Sequence, residues 1–147
     1  MGVALLDVNA LLALLIEHHD FHVRMARWFA GHQRSGWATC PITQQGFVRI
    51  VSNPAYLKPA PKVASALALL QATVQASAQH EFWNAGFPLS DLESPIKTRL
   101  TGHKQITDAY LLTLAIRHKG KLVTFDRRIL QLAPEGSVER DSLQILQ

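Results

Sequence analysis

Apolar residues in this chain fall into short unbroken runs and into longer stretches of helical spacing, and the two alternate. Val3 to Leu6 is a continuous apolar run, the pattern of a strand buried on both faces, and it ends in Asp7, Val8 and Asn9. Asn9 is a good helix cap, so a helix is expected over Ala10 to Ile16, apolar almost all round. Phe21, Val23, Met25, Ala26, Trp28 and Phe29 repeat as in an amphipathic second helix that stops near Gly31. Trp37 to Cys40 predicts a second short strand. Pro41 and Ile42 then lead into a helix through Gln44, Phe47, Val48, Ile50 and Val51, which Asn53 and Pro54 end.

The segment from Pro54 to Pro61 holds three prolines and predicts a loop, after which Val63 to Val74 returns to helical spacing. His80 to Trp83 is a candidate third strand. A polar, proline-containing stretch from Asn84 to Gly102 follows, without a regular pattern. Thr107 and Asp108 then open a strongly apolar helix that ends in His118, Lys119 and Gly120. Leu122 to Phe125 reads as another buried strand closed by Asp126, and Leu143 to Leu146 as the last. There is no internal repeat and no low-complexity tract.

Strands this short and apolar, alternating with helices, predict an α/β protein: a three-layer α/β/α sandwich around a mostly parallel sheet. At 147 residues the whole chain, 1–147, is expected to be one domain. In a parallel sheet the carboxyl ends of the strands and the amino ends of the helices that lead into the next strands lie on one side, where open α/β proteins place their sites. Asp7 ends the first strand, Asp126 ends the strand Leu122 to Phe125, and Asp108 sits in the first turn of the helix feeding that strand. All three are therefore expected at the same edge.

Composition narrows the setting. With 48% hydrophobic and 18% charged residues the chain is a folding one rather than a disordered one. Its formal charge of +4 gives a mild attraction for polyanions such as nucleic acid. The single cysteine, Cys40, excludes an internal disulfide and a multi-cysteine metal site, and is expected to be buried and inert. Val3 to Ile16 lacks the basic start of a signal peptide, is interrupted by Asp7, and is too short to span a bilayer. Gly2 is followed by Leu6 where a myristoylation signal needs Ser or Thr. A cytoplasmic protein without membrane attachment is the expectation.

Three carboxylates drawn together repel one another and hold protons more tightly unless a cation lies among them. Magnesium suits that role: it is held by one or two carboxylates plus waters and phosphate, and it supports hydrolysis of phosphodiesters. Each aspartate also has a purely structural use. Asp108 can favour the positive end of its helix, and Asp126 can cap a short helix over Arg127 to Leu132. Asp7 has fewer such uses, being a charge directly after a buried strand with Asn9 beside it.

Four segments together resemble a known family, the PIN-domain nucleases, and within it the VapC-type toxins. Leu5-Leu6-Asp7-Val8-Asn9-Ala10-Leu11 is similar to the family's opening motif. Pro41 to Arg49 resembles the second motif, Gln105 to Leu111 the third, and Leu122 to Arg127 the fourth. The resemblance covers nearly the whole chain. It implies hydrolysis of RNA with Mg2+, or Mn2+ as a substitute, held by Asp7, Asp108 and Asp126, with Asn9, Thr43 and Thr124 in support. It further implies a homodimer and a cognate antitoxin that blocks the acidic groove. His103, Lys104, Arg127 and Arg128 are candidates for contact with RNA backbone near that groove. The chain departs from the pattern at Gln44, where the family commonly supplies a glutamate; an amide can hydrogen-bond but adds no charge toward a cation, so weaker metal affinity is expected.

Other chemistries fit less well. Seven histidines show no HExxH pattern, and His18, His19 and His22 lack a cysteine or acidic partner at a zinc spacing. A phosphatase of the haloacid-dehalogenase type needs a second aspartate where Asn9 stands. Trp28, Trp37, Phe47 and Trp83 lie within apolar runs and are expected to pack in the core rather than to stack bases. One rival from a different class stays open: a PIN fold that binds RNA or an antitoxin without appreciable catalysis, because Gln44 replaces an acid.

Overall fold

A computed structural model describes residues 2–147. Five strands form one sheet: β1 Ala4–Leu6, β2 Trp37–Thr39, β3 His80–Phe82, β4 Lys121–Thr124 and β5 Leu143–Ile145. Every pairing is parallel, and the order across the sheet is β3-β2-β1-β4-β5. Leu5 registers with Ala38 on one side and with Leu122 on the other.

The central strands are buried on both faces, as their unbroken apolar runs require. Leu5, Ala38 and Leu122 enter one core with Trp83, Ile96, Leu112 and Ile129. Leu6, Trp37 and Val123 face the opposite core with Leu11, Met25, Phe47 and Leu70. Alternation of side chains along a strand sends neighbours to opposite layers, so two cores flank one sheet and the three-layer sandwich follows.

Helices α1 Val8–Leu15, α2 His22–His32, α3 Pro41–Val51 and α4 Val63–Ala76 cover one face, while α5 Ser94–Arg99 and α6 Ile106–Arg117 lie on the other. Helix α3 approaches α1 closely at Gly46, where an added Cβ would stand 2.6 Å from Val8 Cγ2. Two expectations need correction. The first helix begins at Val8, two residues early, because Asp7 rather than Asn9 caps it: the Asp7 carboxylate accepts the N–H of Ala10 at 2.7 Å. Within the stretch Asn84 to Gly102 read as irregular, Ser94–Arg99 forms a helix started by Pro95 and Leu89–Asp91 a 3-10 turn; a further 3-10 turn, His103–Gln105, lies just beyond it. Cys40 and the three aromatics Trp37, Phe47 and Trp83 are buried as expected, whereas Trp28 is half-buried and stacks on His32.

Strand order decides where a site can form. From β1 the chain moves outward to β2 and β3, then crosses back to β4 and β5 on the other side. The connections leaving β1 and β4 therefore diverge, and a crevice opens between the carboxyl ends of these two adjacent strands.

Candidate active site

Asp7 follows β1 directly and Asp126 lies two residues beyond β4, so both flank that crevice. Helix α6 runs antiparallel to the strand it feeds, which brings Asp108 in its first turn to the same rim. The three charges sense one another: Asp108 and Asp126 both push the Asp7 proton affinity up, and Asp126 does the same to Asp108. The topology inferred from short apolar runs thus places the three acids at one edge of the sheet.

Their environments differ. Asp7 is 8% exposed, and burial drives its pKa up to about 6 against the opposing hydrogen bonds from Thr124 and the Ala10 N–H. Asp108 is less buried but also rises to about 6, through desolvation first and the Asp126 charge second, with Arg128 pulling the other way. Asp126 goes in the opposite direction. Arg128 donates to both of its oxygens, Nε to Oδ1 at 3.0 Å and Nη2 to Oδ2 at 2.7 Å, and this charge-assisted fork holds the carboxyl below its ordinary range. Asp126 also accepts the backbone N–H of Arg128 at 2.9 Å and so caps the 3-10 turn Arg127–Gln131. Both Asp7 and Asp126 therefore serve local structure as well, and the expectation that Asp7 has few structural uses is corrected.

Thr124, 1% exposed, links two of the acids. Its oxygen accepts the Asp126 N–H at 3.0 Å, and its hydroxyl hydrogen-bonds Asp7. Asn9 and Thr43 do not join the cluster. The Asn9 side chain pairs with His19 Nε2 at 2.8 Å, because its position in the first turn of α1 turns it toward the loop after that helix. Thr43 is consumed in capping α3: it accepts the Cys40 N–H at 3.0 Å and donates back to the Cys40 carbonyl at 3.2 Å.

Gln44 is half-buried in the first turn of α3 and donates Nε2–H to Thr39 Oγ1 at 3.0 Å. Thr39 in turn bonds His80 Nε2 at 2.8 Å, and burial lowers the proton affinity of that imidazole. Gln44, Thr39 and His80 thus form a hydrogen-bonded chain. His103 and Lys104 are exposed and line a cavity of about 290 Å3 together with Asp108, Asp126 and Arg128. Arg127 is exposed on the same turn as Arg128 but does not line that cavity. Sequence reasoning did not single out Thr39 or His80; of the two only Thr39 carried a signal, as a polar residue closing a buried strand.

Oxygen donors alone suit a hard cation such as magnesium, and two carboxylates whose protons are held up to about 6 are eased by one. Among the described residues no three His, Cys, Asp or Glu side chains stand close enough to form a ready-made metal cluster. Magnesium needs only one or two carboxylates beside waters and phosphate, the number that Asp7 and Asp108 offer.

An all-parallel α/β/α sandwich with aspartates gathered at its switch point defines the class of protein in hand. The chain belongs to the PIN domain family, whose model matches residues 4–134. It is similar to Ribonuclease VapC44 of Mycobacterium tuberculosis, 46% identical over 137 residues that cover 93% of this chain and 95% of that protein. Ribonuclease VapC38 of the same species is 44% identical over 133 residues, 90% of this chain and 92% of that one. Among solved structures, the VapBC2 complex of Rickettsia felis bound to a promoter DNA fragment shares the fold, with a TM-score of 0.64 over 99% of both chains at 14% identity.

Proposed function

We propose that the chain is a magnesium-dependent endoribonuclease, manganese serving as a substitute, and that it acts as the toxin of a toxin and antitoxin pair. Relatives named ribonucleases at 44–46% identity support the RNA-cleaving activity. The observation that carries the metal is the pairing of Asp7 and Asp108 at one rim, both with proton affinities raised by burial and by neighbouring negative charge. Those two residues would hold the ion, with Asp126 as a further ligand once released from Arg128. When bound, the ion supplies orientation of a water for attack on phosphorus and offsets the charge that develops there.

The remaining work falls to the protein. Thr124 favours the ionised form of Asp7 and, by accepting the Asp126 N–H, ties the turn that carries Asp126 to the end of β4. Arg128 and Lys104 offer positive charge to the RNA backbone beside the acids, and His103 offers a polar rim. Gln44 contributes no charge, so the ion is held more weakly than by a set with a fourth acid. A cognate antitoxin covering the rim, a homodimer and a cytoplasmic setting belong to the same reading; among the described residues no helix is long and apolar enough to cross a membrane.

The test is cleavage of structured RNA in Mg2+ or Mn2+. Activity is expected to vanish in EDTA and in Asp7→Asn, and equal cleavage by Asp7→Asn would remove the nuclease assignment. A wild-type protein that binds RNA and cuts none at any metal concentration would instead establish a binding module.

A further inference from the structure

The cavity beside Asp108 and Asp126 is more than a gap between loops. Its walls are the turn Thr101–Gln105 and the segment from Asp126 to Leu132, and its volume of about 290 Å3 lies near the small end of ligand pockets, room for a single nucleotide. Ile129 and Leu132, 2% and 0% exposed, lie beneath it as part of the core and fix its depth rather than offering contact surface. His103 and Lys104 stand on the turn at its edge.

Two glutamines give it a defined polarity. Gln105 Oε1 accepts the backbone N–H groups of Thr101 at 2.8 Å and Gly102 at 3.1 Å. Backbone N–H groups can only donate, so the orientation of the Gln105 amide is fixed and its nitrogen must be the atom that reaches Gln131. Gln105 Nε2 donates to Gln131 Oε1 at 3.0 Å. That bond spends the Gln131 oxygen and leaves its NH2, which makes no hydrogen bond among the described residues, as a donor at the cavity wall.

Resting on the nuclease reading above, we propose that this cavity binds one unpaired nucleotide adjacent to the bond that is cut, and that Gln131 makes it favour a keto-bearing base, guanine or uracil. Single-stranded RNA is read by splayed bases hydrogen-bonded on their edges, with the base face on an apolar or aromatic surface. Guanine O6 or uracil O4 accepts the Gln131 N–H. Adenine and cytosine carry an amino group at that place, which sets donor against donor. Lys104 at the rim then neutralises a flanking phosphate. Gln131 is exposed and its hydrogen bond goes to Gln105 rather than to the acids, so it governs which base is accepted, not whether the bond breaks.

The experiment compares wild type, Gln131→Leu and Gln131→Glu by mapping cleavage ends in total RNA. Because Gln131 is exposed, the variants are expected to fold as wild type does. Wild type should prefer G or U over A and C at one position next to the cut, by roughly tenfold for a well-formed contact. Gln131→Leu should level that bias, and Gln131→Glu, which presents acceptors, should turn it toward A and C even if overall cleavage slows. No bias in the wild type, or an unchanged bias in both variants, overturns the proposal. If the wild type cuts nothing, the nuclease reading fails on its own. Binding of labelled oligouridylate and oligocytidylate in EDTA then decides: tighter binding of oligouridylate that is lost in Gln131→Leu upholds the subsite, and equal binding of the two by the wild type overturns it.

Discussion

Replacing Asp7 by Asn should make the protein more stable while removing its activity, and the gain should depend on pH. Asparagine keeps an oxygen for the Ala10 N–H, so the cap on α1 survives. What disappears is a buried charge. The Asp7 carboxyl holds its proton up to about 6 instead of the ordinary 3.8, so ionising it in the folded state costs about 3 kcal/mol relative to the unfolded chain. A group with a raised folded pKa contributes its stability fully below the unfolded value and loses it as pH rises through the folded value. Wild type should therefore lose stability between about pH 4 and pH 7 through this residue, and Asp7→Asn should not. Part of the gain is offset by imperfect packing of the amide, leaving about 1–3 kcal/mol at pH 8 in EDTA, or a melting temperature higher by about 3–10 °C for a domain of this size. Near pH 4 the gain should be gone, leaving the variant level with wild type or below it by the packing cost alone. Magnesium should raise the wild-type midpoint and leave the variant unmoved, since a ligand stabilises only the state that binds it. Thermal melts at several pH values read all of this without any knowledge of the RNA target. A variant less stable than wild type at pH 8, or a gap that does not shrink in acid, would refute the account of Asp7 as a destabilised functional carboxylate.

Thr124→Val removes the hydroxyl joining Asp7 to the Asp126 N–H; denaturant titration should show a loss of about 1–3 kcal/mol, and the rise of activity with pH should shift upward because Asp7 loses its main opposing hydrogen bond. Gln44→Glu adds a charge in the first turn of α3, and on the proposed reading the magnesium concentration giving half-maximal cleavage should fall; an unchanged value would place Gln44 outside the metal's reach. Gly46→Ala forces a methyl group against Val8 where only 2.6 Å is free; overpacking should destabilise by about 1–3 kcal/mol in the same titration, and melting at the wild-type temperature would show that α3 can move off α1 freely.

Much of this arrangement was legible because the sheet is parallel and central. Strands buried on both faces appear as unbroken apolar runs, and Val3–Leu6, Trp37–Cys40 and Leu122–Phe125 each match an observed strand within a residue or two. Once those runs were placed, the direction of a parallel sheet put Asp7, Asp108 and Asp126 on one edge without any knowledge of strand order. Strand order itself had no local signature, since it depends on pairings between residues tens of positions apart. Helix α5 escaped for a different reason: it has six residues and buries only Ile96, too little for a periodic pattern. The cap was misplaced because Asp and Asn are nearly equal as N-caps and Val8 reads equally well as strand or helix. Asn9 and Thr43 were credited with supporting the acids on resemblance, but their partners, His19 and Cys40, are set by loop geometry that no pattern reveals.

The unequal treatment of the three acids is a property of the fold rather than of the residues. Asp7 sits where a buried strand passes into a helix with no intervening loop, so it must be dry. Asp126 begins an exposed 3-10 turn, and that turn brings Arg128 round to face it. One aspartate is therefore charged at a price in stability, and its neighbour is charged because an arginine holds it. A cation of the kind proposed above would relieve the first and compete with the arginine for the second. Arg128 freed in that exchange stands beside Asp108 with its positive charge unpaired, at the place where an RNA phosphate would approach. On the proposed reading, occupation of the acids and attraction of the substrate would be coupled through this one side chain.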